Sequence, residues 1–151
     1  MAKNDSINKI LDFAIEGEIE AYEFYKDLAS KMDNPTIKQV FLDFAAEEQG
    51  HRKLLEEARK GKTVNIGGDK IADLKIAEYA VDIVPTPDMD YQAALILAMK
   101  KEKKAFQLYS DLAVAAKDPI ARKLFQSLAQ QEAKHKLHFE LEYDEVVLKE
   151  D

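Results

Sequence analysis

Six residues of this chain combine reactive side chains with a spacing that a purely structural helix does not need: Glu18, Glu48, His51, Glu102, Glu132 and His135. Glu48 and His51 stand three residues apart in "FAAEEQGHRKLL", and Glu132 and His135 repeat that spacing later in the chain. Residues i and i+3 share one helix face, so each Glu-x-x-His pair can offer an oxygen and a nitrogen to a single point. Glu18 and Glu102 open two segments that align without a gap, "EIEAYEFYKDLA" (18–29) and "EKKAFQLYSDLA" (102–113). The same offset of 84 carries Glu48 onto Glu132, His51 onto His135, Pro35 onto Pro119, Phe41 onto Phe125 and Ala45 onto Ala129. Two similar halves therefore flank a dissimilar middle at about 61–87.

The elements that carry these residues read as helices. Positions 7, 11, 14, 18, 21, 25, 28 and 32 are Ile, Leu, Ala, Glu, Ala, Tyr, Leu and Met, the 4-3 spacing of a bundle helix. Positions 37, 41, 44, 48, 51, 55 and 58 continue the pattern in a second helix. "DNP" at 33–35 separates the two, with Asn34 as cap and Pro35 in the first turn, and Asp118 with Pro119 repeats the device. Gly61 is the expected stop of the second helix, a third begins near Asp88, and "KIADLKIAEYAVDI" adds a short helix to the middle segment. Gly (5) and Pro (4) are scarce while hydrophobic residues make up 46%, a balance that favours long amphipathic helices over a sheet with many turns. The expected architecture is all-α: one domain over 1–151, with helical hairpins at about 5–60 and 88–147 packed as a four-helix bundle across a long crossover.

In that bundle all six reactive residues fall at core positions, surrounded by Ala, Leu, Ile, Phe and Tyr. Four ionised carboxylates cannot share a core unaided, because each buried charge costs several kcal/mol and the four repel one another. Either they are protonated or turned outward, or they hold cations. Two divalent ions would balance four carboxylates in number and sign. A mixed carboxylate–imidazole set suits iron or manganese, zinc is compatible with it, and magnesium or calcium would make less use of the histidines. A solvated charged face with accidental phase would have to coincide with the repeat twice over. Lys100, Lys101, Lys103 and Lys104 flank Glu102 and can extend outward past it. Glu47, Glu56 and Glu57 read as solvent-facing, and His138 as a partly exposed histidine.

Composition narrows the partners. A net charge of −7 argues against nucleic acid as the main partner. The absence of cysteine removes disulfides, thiolate catalysis and Cys-held zinc or iron–sulfur centres. "MAKNDSINK" has no apolar core of a signal peptide and no run approaches a membrane span, so a cytoplasmic location is expected.

Glu18, Glu48-x-x-His51, Glu102 and Glu132-x-x-His135 resemble the di-iron carboxylate pattern of ferritin-like proteins, one Glu from each of two helices and Glu-x-x-His from each of the others. Within that class "EIEAYEFY" and "FLDFAAEEQGHRKLL" are most similar to the di-iron domain of rubrerythrin. The resemblance covers about 7–60 and 91–145 and implies a ferritin-like four-helix bundle with two iron ions. It implies that Glu48 and Glu132 bridge the metals, that Glu18 and Glu102 are terminal ligands, and that His51 and His135 take one metal each. Tyr25 and Tyr109 match tyrosines that hydrogen-bond ligand carboxylates. The implied activity is reduction of hydrogen peroxide or dioxygen by a homodimer, with ferroxidase activity for iron storage or detoxification, or metal binding without turnover, as alternatives. Three departures shape the expectation. No cysteine is present for a rubredoxin iron, so electrons must come from an external donor such as a rubredoxin-like protein. Ala105 stands where rubrerythrins carry a further glutamate, which makes the site more symmetric, like that of bacterioferritin. The tail after the fourth helix is also shorter than the fifth helix of cage ferritins, so no shell is expected.

Overall fold

The computed structural model describes residues 2–60, 74–81 and 85–150. Helix α1 spans Ala2–Ser30, α2 Pro35–Arg59, α3 Tyr91–Ala115 and α4 Pro119–Glu150, and among the described residues between the halves lies a 3-10 turn, Ile76–Tyr79. Among the described residues there is no strand, and the all-α four-helix expectation holds.

Short polar devices set the helix starts. Asn34 Oδ1 accepts from the N–H groups of Thr36 (2.8 Å) and Ile37 (3.2 Å), two of the donors a helix start leaves without partners. Pro35 fills the first turn, where its missing N–H forfeits no bond. Asp118 Oδ1 does the same for Ile120 N–H at 3.1 Å. Asp90, rather than Asp88, caps α3 through Ala93 N–H at 2.8 Å, which places the start of α3 at Tyr91. The middle segment departs most from expectation. Of the helix proposed for "KIADLKIAEYAVDI", the described part forms only the turn Ile76–Tyr79, and Gly61 lies outside the described residues, Lys60 being the cap of α2. Tyr79 anchors that turn by burying its ring and donating to Asp111 Oδ2 on α3 at 2.6 Å.

α1 packs along α2 and α3 along α4 as two hairpins, and α1 also meets α3. Arg59, at the end of α2, pairs with Asp12 near the start of α1 at 2.8 Å, and Tyr91 at the start of α3 donates to Glu142 late in α4 at 2.9 Å, so each pair runs antiparallel. The apolar core divides into two layers. One gathers Ile7, Leu11, Ala14, Leu55, Leu108, Leu112, Phe125 and Ala129. The other gathers Ala21, Phe24, Leu28, Phe41, Ala45, Leu95, Ala98 and Phe139. On every helix the reactive residues fall between a member of one layer and a member of the other: Glu18 between Ala14 and Ala21, Glu48 and His51 between Ala45 and Leu55, Glu102 between Ala98 and Leu108, Glu132 and His135 between Ala129 and Phe139. No described helix is long and apolar enough to cross a membrane.

Candidate metal centre

Between the apolar layers the six side chains converge, none more than 3% exposed. They form two overlapping groups, Glu18–Glu48–His51–Glu132 and Glu48–Glu102–Glu132–His135, in each of which one potential ligand atom per residue lies within 4.8 Å of the others. Glu48 and Glu132 belong to both groups, whereas Glu18 and Glu102 belong to one each. His51 Nδ1 lies 3.2 Å from Glu132 Oε1, 3.4 Å from Glu48 Oε1 and 3.6 Å from Glu18 Oε1. His135 Nδ1 lies 3.4 Å from Glu48 Oε1, 3.6 Å from Glu102 Oε1 and 3.9 Å from Glu132 Oε1. The internal repeat of the sequence thus reappears as an approximate two-fold arrangement in space.

Four hydrogen bonds around this cluster tie one hairpin to the other. The buried hydroxyl of Tyr25 on α1 donates to Glu102 on α3, and that of Tyr109 on α3 donates to Glu18 on α1. His135 Nε2 on α4 bonds to the Glu47 carboxylate on α2, and His51 Nε2 on α2 bonds to Gln131 Oε1 on α4. Glu47 and Gln131 were not singled out by sequence reasoning, and Glu47, read as solvent-facing, in fact divides its side chain between solvent and His135. The available signal was positional: Glu47 and Gln131 occupy equivalent places, each immediately before a Glu-x-x-His. His138 joins neither metal-competent group and packs edge-on against Phe44 at 5.2 Å, its pKa lowered by burial.

The electrostatics match a cluster built around cations. Burial, reinforced by the charges of Glu18 and Glu102, pushes the Glu48 carboxyl well above its ordinary value. Burial and the charges of Glu102, Glu48 and Glu18 do the same to Glu132. Burial opposes charge on His51, but the nearby carboxylates of Glu132 and Glu18 prevail and raise it to about 10. Against the same opposition, Glu102 leads the groups that raise His135 to about 9. Burial, then the neighbouring carboxylates, pushes both Tyr25 and Tyr109 up, so both remain hydrogen-bond donors. Without metal, protons must take the place of cations.

A di-metal centre fits the residues present. Each of the six carries a buried atom without a hydrogen-bond partner: Glu18 Oε2, Glu48 Oε1, His51 Nδ1, Glu102 Oε2, Glu132 Oε1 and His135 Nδ1. Buried polar atoms are rarely left so, and six around one point form a donor set of oxygen and nitrogen suited to iron or manganese. A cavity of about 640 Å³ leads to the cluster between α1 and α3. Its described lining includes all four carboxylates and neither histidine, together with Ala14, Ala21, Phe24, Ala105 and Leu108. The cavity thus meets the cluster on its carboxylate side.

The tyrosines give a first test. Tyr25→Phe and Tyr109→Phe should each weaken metal binding about tenfold, because a ligand carboxylate loses the donor that fixes its orientation. Competition against a chelator measures this, and unchanged affinity would reduce both residues to packing.

The Rubrerythrin family model matches residues 9–143. No curated protein matches the chain. Among solved structures, a hypothetical protein from Pyrococcus furiosus is 25% identical with a TM-score of 0.70, over 91% of this chain and 88% of that one. A protein from Thermotoga maritima described as ferritin-like and diiron-carboxylate is 22% identical with a TM-score of 0.75, over 93% and 95% of the two chains. A manganese catalase from Anabaena is 18% identical with a TM-score of 0.70, over 97% of this chain and 74% of that one.

Proposed function

This chain belongs to the rubrerythrin family, and on that premise we propose that it is a non-haem di-iron oxidoreductase that reduces hydrogen peroxide or dioxygen with electrons from an external donor. The observation that carries the reading is the set of six buried ligand atoms without partners, four carboxylate and imidazole residues at each of two overlapping positions. In this reading Glu48 and Glu132 would serve both metal positions, Glu18 and Glu102 would each serve one, and His51 and His135 would complete the two sets. When bound, a ferrous pair supplies two electrons, enough with two protons to convert hydrogen peroxide to two waters.

The chain's own residues do the rest. The carboxylates neutralise the metal charge within a water-poor layer. Tyr25 and Tyr109 hold Glu102 and Glu18 in place from opposite helices. The apolar layers above and below keep bulk water away, and the cavity between α1 and α3 admits a small oxidant.

A ferroxidase is the second reading, favoured by one feature: Glu16, Glu20, Glu23 and Asp27 outnumber Lys101 and Lys104 along the same cavity and would draw cations toward it. Iron is preferred over manganese on family membership, although the fold is also that of the Anabaena manganese catalase. Anaerobic loading with Fe(II), then excess peroxide with and without a reductant, decides among these. Repeated peroxide loss that requires the reductant supports the proposal. Retention of many iron atoms per chain supports the ferroxidase. Dioxygen release from peroxide without any reductant, strongest with Mn(II), would overturn both.

A further inference from the structure

The two halves of the cluster are matched residue for residue except behind the histidines. The repeat carries Glu18, Tyr25, Glu48 and His51 onto identical residues, but it carries Glu47 onto Gln131. Both of these reach across the bundle to the Nε2 atom of the opposite histidine, so His135 is backed by a carboxylate and His51 by an amide. We propose that Glu47 and Gln131 are positioning residues that make the two metal positions unequal, and that the ion held by His135, Glu102 and the shared carboxylates binds more tightly and is taken up first. This inference rests on the di-metal reading above.

Three physical differences point the same way. A carboxylate only accepts, so Glu47 fixes the proton of neutral His135 on Nε2 and leaves the Nδ1 lone pair facing Glu48, Glu102 and Glu132. An amide can accept or, turned over, donate, so Gln131 holds His51 to no single tautomer. A carboxylate behind an imidazole also makes its free nitrogen a stronger donor, and exchange of such a group typically changes metal affinity about 10–100-fold. Glu47 is 47% exposed at its side chain, so solvent screens part of its charge, which places the expected effect near tenfold. Finally, Phe44 stacks on His135 with ring centroids 4.0 Å apart and planes 26° from parallel, so that ring is held in one orientation.

Stepwise Co(II) titration of the full metal-free chain, followed by visible absorption, tests the inference. Repulsion between two bound ions is common to all variants, so the diagnostic quantity is the change in separation between the two steps. Glu47→Gln should weaken the tighter step about tenfold and bring the two together, and Gln131→Glu should strengthen the weaker step by a similar factor. The double exchange should restore unequal steps with their order reversed. His135→Ala removes the tighter step from the natural sequence, whereas His51→Ala removes it from the exchanged one. These isosteric swaps distinguish donor strength from general damage, since damage would not strengthen any step. A separation that stays the same in both single exchanges overturns the inference and leaves the di-metal reading intact. Failure of the unaltered chain to bind any metal overturns both.

Discussion

Loaded anaerobically with Fe(II) and passed through a desalting column, the unaltered chain should retain about two metal ions, and Glu48→Ala or Glu132→Ala should retain almost none. The asymmetry among the carboxylates makes this specific. Glu48 and Glu132 are members of both four-residue groups, so removing either strips an oxygen from both metal positions at once. Glu18 and Glu102 each belong to one group, and Glu18→Ala or Glu102→Ala should lose about one ion rather than two. Helical circular dichroism of the same samples separates lost ligation from lost fold. The substitutions remove buried acids from a repulsive cluster, so the variants should keep the helical signal of the metal-free parent. Elemental analysis that finds full occupancy in both Glu48→Ala and Glu132→Ala would refute the shared role of these two residues.

The parts of this arrangement that could be read from sequence are those where phase and chemistry conflict. A carboxylate in a helix seam is costly, and such a conflict is visible without coordinates when it recurs at one offset in two halves. Glu18, Glu48, His51, Glu102, Glu132 and His135 stood out for that reason, and all six lie buried in one layer. Helix starts at Asn34 and Asp118 were legible because capping is local chemistry. Legibility failed where a residue obeys two environments. Glu47 stands off the seam, half in solvent, and nothing in its own helix reveals that His135 from α4 comes to meet it. Tyr79 is similar: its burial depends on how the segment after Leu74 lies on α3, and the short helix expected there is realised only as the turn Ile76–Tyr79. α3 starts just past Asp88, where Asp90 caps Ala93 N–H and Tyr91 packs against Phe41 with ring centroids 6.4 Å apart, a contact that local sequence does not reveal.

Stability should run opposite to function in this layer. Chelating the metal should lower the melting temperature, because bound ions stabilise only the folded state. Bound at the cluster, they would also join α1 and α2 to α3 and α4 at the level where the hairpins meet through Tyr25, Tyr109, His51 and His135. In the metal-free chain the protons on Glu48 and Glu132 substitute for the ions. Both carboxyls are raised above the ordinary 4.5, so their contribution is fully present below that pH and is lost as pH rises through the folded values. His51 and His135 are raised from 6.5 to about 10 and about 9, so theirs is fully present below pH 6.5 and is lost as pH rises through 9 to 10. All four terms have one sign, and the metal-free melting temperature should fall steadily between about pH 5 and pH 9, while metal-loaded protein should hold nearly level. Glu48→Gln combined with Glu132→Gln should flatten the metal-free slope and raise the metal-free melting temperature near pH 8 by on the order of 5–10 °C, since neutral amides need no proton to enter the layer. The same pair should gain little or nothing from added Fe(II). Differential scanning calorimetry with and without metal across that pH range decides the matter. A double variant less stable than the metal-free parent at pH 8 would mean that Glu48 and Glu132 stabilise the bundle themselves, as a structural polar network, and that metal capture is not the reason they are buried.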